Sequence, residues 1–390
     1  MSPLDLKRRP VVALLIETSN AYARGLLEGI MSYVRRHDPW SLYLPEMRRG
    51  EVPADWPGRW KGDGIIARIE NVEMARAVKR AKLPTVDLSA GRHLPQVPWV
   101  ETDDAAIARL AVEHLAERGF RNFAFCGNRR FAWSRGREEV FLETARSHGN
   151  VCESWSGDDE ERSGRGWTVE HRRLGEWVRG LPKPVGIMAC YDIQAQRLLD
   201  ACREVGTAVP EEAAVLGVDD DRLLCDLCSP PLSSIVPNTM RTGYAAAETL
   251  AALMRGEQPA VEGQLIPPLG VSTRQSTDIL ALEDRDVAAA VRFIREHACD
   301  GIQVGDVLRH VPLSRRVLES RFVKQVGRTP HEEILRIKLD RVKRLLAETD
   351  LTLDTIADRA GFRHSEYLSV AFKRVVGISP SAYRSDSSVS

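Results

Sequence analysis

The chain has 390 residues, 43% of them hydrophobic and 28% charged, too long for one ordinary core and long enough for two or three domains. Its 55 basic and 55 acidic residues cancel, but residues 286–390 hold 18 Lys and Arg against 14 Asp and Glu, leaving 37 against 41 before them. No apolar run approaches the roughly 18 residues of a membrane span, and seven scattered cysteines, an odd number, suit reduced and buried thiols.

The first apolar run, VVALLI (11–16), follows basic residues but is too short for a signal h-region and stops at Glu17. It reads as a buried strand in a cytoplasmic protein. From there to about residue 280, short apolar runs alternate with amphipathic stretches. VVALLI precedes a helix over Arg24–Val34, GIIARI (64–69) precedes Val72–Arg80, and WVETD (99–103) precedes Ala105–Arg118. NFAFCG (122–127) precedes Arg135–Ser147, VGIMAC (185–190) precedes Ile193–Val205, and AAVLGVDD (213–220) leads into a short helix or loop. This alternation implies an α/β fold of parallel sheets with right-handed crossovers.

Ligands of open α/β sheets bind beyond the carboxyl ends of the strands. The candidates are therefore Ser19, Asn20 and Tyr22 after the first strand, Asp103 after WVET, and Trp133 and Arg137 after NFAFCG. Asp192 after GIMACY and Asp219 and Asp220 after AAVLGV complete the set, with Asp192 reading more readily as a helix N-cap. Cys225 and Cys228 form one CxxC without a second pair or a spaced His, so no metal site is expected. There is no Gly-rich phosphate loop, HExxH or GxSxG, so neither catalysis nor a cofactor is expected. His331, Glu332 and Glu333 open a helix, where acidic residues favour its dipole.

The mildly basic tail carries two helix-turn-helix patterns. In the first (304–330), Val307 and Leu308 form the first-helix core, Ser314 stands at an N-cap, and the second helix buries Val317, Leu318 and Phe322. Arg315, Arg316, Glu319, Ser320, Arg321 and Lys324 face outward. An amphipathic helix over His331–Glu348 joins it to the second copy, where Gly361 ends the first helix. The helix over His364–Gly377 turns Tyr367, Leu368, Ala371 and Phe372 inward and Ser365, Glu366, Ser369, Lys373 and Arg374 outward. A second helix with a polar outer face is what a major groove accepts.

The tail, with IADRAGFRHSEYLSVAFKRVVGISPSAYR (356–384), resembles the all-α double helix-turn-helix DNA-binding domain of the AraC/XylS family over roughly its last hundred residues, about 286–390, with units at about 304–326 and 352–376. Residues 10–275 resemble the two-lobed periplasmic-binding-protein-like sensor of the lac repressor family. The resemblance rests on DDAAIARLAVEHLAERGFRNFAFCG (103–127), GIMACYDIQAQRLLDACREVGTAVPEEAAVLGVDD (186–220) and PPLSSIVPNTMRTGYAAAETL (230–250). It implies a sensor over 1–280, with one lobe over about 10–118 and 236–262 and the other over about 119–235 and 263–280. It also implies Asp219 as the acceptor of two sugar hydroxyls and Arg137 as a clamp, a pair that supplies both donors and acceptors in fixed geometry. Trp133 or Tyr22 would cover a sugar face. The alternatives at these positions are a turn carboxylate for Asp219, an interlobe ion pair for Arg137, and core packing for the two aromatics.

This domain order resembles the family of xylose operon regulators along nearly the whole chain, including NAYARGLLEGI (20–30) and IREHACDGIQVGDVL (294–308). The resemblance implies a sugar-responsive activator of pentose genes, with D-xylose as effector, operator DNA and RNA polymerase as partners, a homodimer, and no membrane. Arg316, Glu319 and Ser320 in the first reading helix, with Arg315 near them, and Ser365, Glu366 and Ser369 in the second, are the expected base contacts. Arg321, Lys324, Lys373 and Arg374 are the expected phosphate contacts. The stretch Trp40–Arg59 departs from that family's pattern, which leaves another aldose open. The rival readings are an effector-free repressor, a sugar-modifying enzyme with a regulatory tail, and a transport-linked binding protein.

Overall fold

The computed structural model describes residues 8–37, 39–52, 61–152, 154–157, 166–257, 263–278 and 284–387. They divide into one unit ending at Asp278 and a second beginning at Ile279. In the first unit the apolar runs become two sheets. The sheet of the first lobe contains β1 (Val11–Leu15), β2 (Ser41–Tyr43), β3 (Gly64–Ala67), β4 (Thr85–Asp87), β5 (Trp99–Thr102) and, from far along the chain, β12 (Gly263–Ile266). All of its pairings are parallel, in the order β12-β5-β4-β3-β1-β2. Helices α1 (Ala21–Arg36), α2 (Val72–Ala81) and α8 (Thr239–Met254) cover it.

The second lobe contains α3 (Asp104–Glu117), β6 (Asn122–Gly127), α4 (Ala132–Arg146), β7 (Asn150–Val151), β8 (Trp155–Ser156) and α5 (Gly166–Gly180). It continues through β9 (Val185–Ala189), α6 (Asp192–Glu204), β10 (Ala213–Val218), α7 (Arg222–Leu227), β11 (Ser233–Val236) and β13 (Gly270–Ser272). Its sheet runs β13-β11-β10-β9-β6-β7, with β8 also on β6 and only β13 antiparallel. Strands such as β9 and β10 are buried along their whole length, which is why they read as unbroken apolar runs rather than alternating ones.

Two lobe boundaries differ from the sequence expectation. Residues 263–266 were expected in the second lobe, but β12 pairs with β5 in the first. Residues 104–117 were expected in the first, but α3 packs on α4, and its His114 bonds Thr277 at 2.8 Å, in the second. Residues 258–262 and 279–280, at the expected edges, lie outside the described residues. The chain thus crosses between the lobes three times, after β5, after β11 and after β12. In the first lobe α1 and α8 touch backbone to backbone. A Cβ at Gly29 would strike the Met240 carbonyl, and one at Gly243 the Leu26 carbonyl.

The tail is all helical: α9 (Arg285–His297), α10 (Val304–His310), α11 (Arg315–Val326), α12 (Pro330–Glu348), α13 (Leu353–Arg359), α14 (Ser365–Val376) and α15 (Pro380–Ser387). Sequence reading did not assign α9, yet its Val287, Ala290, Val291 and Ile294 are buried alongside Val307, Leu318 and Phe322. Helix α12 begins at a capping box: Thr329 Oγ1 accepts from Glu332 N at 3.2 Å, and Glu332 accepts from Thr329 N at 2.7 Å. Its Leu339, Val342, Leu345 and Leu346 share a core with Ile356, Ala357, Leu368, Ala371 and Phe372. Gly361 ends α13 in the left-handed region at φ +72°. Three expectations fail in detail. Tyr367 was expected inward but is 53% exposed, because it flanks the buried stripe rather than lying on it. Leu308 and Val317 are half-buried, and Ser314 occupies an N-cap position without a side-chain cap bond.

Candidate functional site

The carboxyl ends of β1, β3 and β5 in one lobe face β10 and the start of α4 in the other. Between them lies a narrow cavity of about 350 Å³, counting its mouth. Asn20, Tyr22, Arg49, Arg68, Glu101 and Thr102 line it from the first lobe; Asp104, Trp133, Arg137 and Asp219 line it from the second.

Asp219 is the acceptor this cavity offers. It holds a φ of +114°, a conformation that a non-glycine residue adopts only under constraint. Its backbone N–H bonds Ile235 O at 3.0 Å, while its carboxylate has no hydrogen-bond donor among the described residues. Burial pushes its pKa up to about 6, against the pull of Arg137, Arg49 and Arg68. Arg137, 3% exposed, spends Nε on Asp104 (2.7 Å) and Nη1 on the Cys190 carbonyl (2.6 Å), leaving Nη2 without a protein acceptor. Burial raises the Asp104 pKa too, although Arg137 pulls it down.

Trp133 stacks on Phe131 at 5.1 Å between ring centres and lies under both Arg49 and Arg137 at 4.9 Å. Its indole N–H is buried and has no acceptor. A buried donor left unmade costs about 1–3 kcal/mol, so this one is poised for a ligand oxygen. Across the cavity, the Tyr22 hydroxyl meets Thr102 Oγ1 at 3.3 Å and its ring lies 5.0 Å from the Arg68 guanidinium. Arg68 bonds Glu17 and, at 2.6 Å, Glu70, which Arg49 also holds at 2.8 Å. Burial pushes the Glu70 pKa up, but the two guanidiniums outweigh it and hold the carboxyl at about 2. Glu101 is pushed up by burial and by Asp104, with Arg92 as its partner at 3.0 Å.

Tyr22, Asn20, Trp133, Arg137 and Asp219 are thus brought together as expected of strand-end residues. Four other expected contacts are not. Asp192 turns behind the cavity: its carboxylate accepts from Ser234 Oγ (2.6 Å) and Asp221 N (2.8 Å), and Tyr191, without a side-chain cap bond, occupies the N-cap position of α6 instead. Asp220 pairs with Arg274 at 2.7 Å. Asp103 caps α3 through Ala106 N at 2.8 Å, which leaves the cavity to its neighbour Asp104. Ser19 is exposed and outside the lining. Even Asn20 divides its side chain between capping Ala23 N (2.8 Å) and Glu17 (3.0 Å).

In the tail, Arg316, Ser320 and Lys324 on α11, and Glu366, Lys373 and Arg374 on α14, are exposed without partners among the described residues. Arg315 reaches Glu319 one turn on at 3.0 Å, and Ser369 donates to Ser365 O at 2.9 Å. Arg321, expected on phosphate, is half exposed and meets Asp284 at 3.2 Å and Asp286 at 3.9 Å, so its charge has acidic partners within the domain. Among the described residues no group of His, Cys, Asp or Glu could hold a metal, and no helix is long and apolar enough to cross a membrane.

Comparison with known proteins matches residues 11–105 to the XylR N-terminal domain, 112–277 to the periplasmic binding protein-like domain, and 307–386 to a helix-turn-helix domain. The xylose operon regulatory protein of Escherichia coli strain K12 is 32% identical over 385 residues, 97% of each chain. That of Haemophilus influenzae is 32% identical over 381 residues, covering 96% of this chain and 97% of that one. A solved structure described as the xylose-binding transcription activator xylR superposes with a TM-score of 0.81 at 32% identity, over 97% of this chain and 98% of that one. The relatives are regulators, not enzymes, and the sequence expectation of a DNA-binding regulator with a sugar-sensor body stands. The chain belongs to the xylose operon regulatory protein family, as a DNA-binding transcription regulator rather than an enzyme.

Proposed function

We propose that the interlobe cavity binds one free pentose, D-xylose, and that binding switches a cytoplasmic homodimer into the state that activates transcription. The observation that carries this reading is the Asp219 carboxylate, which has no protein donor and shares a cavity with the unpaired Trp133 N–H and Arg137 Nη2. Two adjacent sugar hydroxyls donate to Asp219, and ring or hydroxyl oxygens accept from Trp133 and Arg137. A lining of carboxylates, guanidiniums, hydroxyls and an indole N–H beside two aromatic rings suits a small polyhydroxylated ligand such as a monosaccharide. The names of the 32%-identical relatives supply xylose as the first choice.

Closure of the lobes on sugar shifts the dimer by the ligand's differential affinity for its two arrangements. In the favoured one, α11 and α14 of each tail enter successive major grooves, and the bound dimer meets RNA polymerase. The test is calorimetry of the full-length protein against D-xylose, L-arabinose, D-ribose and D-glucose, repeated with Asp219→Asn. D-xylose is expected to bind and the variant to lose that binding by a hundredfold or more, since hydrogen bonds to a charged group are worth about 1.5–3 kcal/mol each. Binding of none of the four at millimolar concentration overturns the sugar reading; a preference for glucose keeps it and overturns the pentose.

A further inference from the structure

Helices α11 and α14 are one device used twice. Each has 12 residues, each ends at a left-handed glycine (Gly327 at φ +76°, Gly377 at φ +89°), and each buries a Leu and a Phe one turn apart. Leu318 and Phe322 correspond to Leu368 and Phe372 at a constant offset of 50 residues. The outward positions therefore correspond as well: Arg316 with Glu366, Ser320 with Val370, Lys324 with Arg374.

At ~100° per residue, Val370 lies opposite the buried stripe of Leu368, Ala371 and Phe372, one turn from Glu366 and one from Lys373. It is 66% exposed. Val370 borders a shallow groove with Leu346, Leu353 and Pro380, but two-thirds of it faces solvent, so the fold that holds it gains little from a β-branched apolar side chain there. Its counterpart Ser320 shows that the position accepts a hydroxyl. Of the other exposed apolar residues of the pair, Val323 and Val375 lie further along their helices, whereas base contacts concentrate toward the N-terminal part of a reading helix, and Tyr367 flanks the buried stripe. Among the base edges of the major groove, the C5-methyl of thymine is the apolar feature.

We propose that Val370 reads a thymine methyl group in the half-site under α14, and that Ser320 leaves the matching position under α11 indifferent to that methyl. This rests on α14 being a DNA reader. The two half-sites of one tail then differ in chemistry as well as in sequence, although the two helices share one frame.

The test uses the full-length protein and a duplex it enriches from a random pool in the presence of D-xylose. Each thymine is replaced in turn by deoxyuridine, which removes only the methyl. One replacement is expected to weaken binding by about three- to fivefold, the value of one buried methyl. Val370→Ser should bind the parent duplex weaker by a similar factor and show no further loss on that replacement. Ser320→Val should create a new thymine preference at the corresponding position of the other half-site. The proposal is overturned if every replacement acts alike on parent and Val370→Ser. It is equally overturned if Val370→Ser keeps full affinity but loses transcriptional activation, which would assign the residue to a protein partner. If no duplex is enriched, the DNA reading itself fails and takes this inference with it.

Discussion

Asp219 pays for its role in the empty protein, and replacing it with Asn exposes the cost. Burial lifts its pKa from an ordinary value near 4 to about 6, against three guanidiniums. Because the folded value lies above the unfolded one, folding favours the protonated carboxyl. The stabilisation is complete below pH ~4 and is lost as the pH rises through about 6. At ~1.4 kcal/mol per pH unit, the ionised group at pH 7.5 costs on the order of 2–3 kcal/mol. An amide of the same shape cannot ionise, and Asn accepts positive φ at least as readily as Asp. Asp219→Asn should therefore melt higher than the parent at pH 7.5 by several degrees, given the ~2–4 °C that one kcal/mol moves a domain of this size. The gap should narrow as the pH falls to 4.5. Saturating D-xylose should raise the melting temperature of the parent and not that of the variant. The assay is a pair of melting curves at each pH, with and without sugar. A variant less stable than the parent at pH 7.5, or a gap that ignores pH, would refute the burial argument.

Trp133→Phe keeps a ring on Arg49 and Phe131 but removes the unpaired N–H. Sugar affinity should fall about tenfold by calorimetry, with the melting temperature of the sugar-free protein unchanged or slightly raised. Gly361→Ala forces a Cβ to 2.5 Å from the Cys299 carbonyl at a φ of +72°. It should destabilise the tail by roughly 1–3 kcal/mol and abolish operator binding while D-xylose still binds, a split read by hydrogen exchange and calorimetry together. Lys373→Ala should weaken all duplexes alike and reduce the salt slope of binding by about one, whereas Arg321→Ala, already paired with Asp284, should leave that slope unchanged. Filter binding at four salt concentrations distinguishes the two.

The alternation of apolar runs and helices was enough to place Tyr22, Trp133, Arg137 and Asp219 around one cavity, because each follows a strand whose end opens there. The same rule reaches Arg68, which follows β3, but inside GIIARI it reads as an interruption of a buried run rather than as a site. Asp103 and Asp104 are adjacent; the N-cap bond to Ala106 N decides which one turns inward, and no spacing in the sequence makes that choice. Asp220 is claimed by Arg274, 54 residues away, and Arg49 reaches the cavity from a loop between β2 and β3. Such partners are fixed by tertiary contact alone. In the tail the helical period and the glycine stops gave both reading helices, while Tyr367, Leu308 and Val317 are less buried than expected and Ser314 makes no side-chain cap bond.

The positions of the charged residues also bear on how sugar binding moves the lobes. Arg24 stands two residues after Tyr22, Asp221 two residues after Asp219, and the two meet across the cleft at 3.2 Å. A ligand that draws Asp219 toward Tyr22 draws Asp221 toward Arg24 on the same two segments. With side chains 46% and 23% exposed, this pair is worth about 0.2–1 kcal/mol. A second bridge, Arg49 over Phe131 and Trp133, adds about 1–2 kcal/mol. Their sum is close to the ~2.7 kcal/mol that a ligand contributes at a hundred times its Kd. Under the proposed closure mechanism, contacts of that size would leave closed lobes near balance instead of locking them, so that a single monosaccharide is enough to decide between open and closed. The proposed mechanism requires an effector that touches both lobes: a ligand bound only to Asp219 and Trp133 would have the same affinity in either state and would shift nothing.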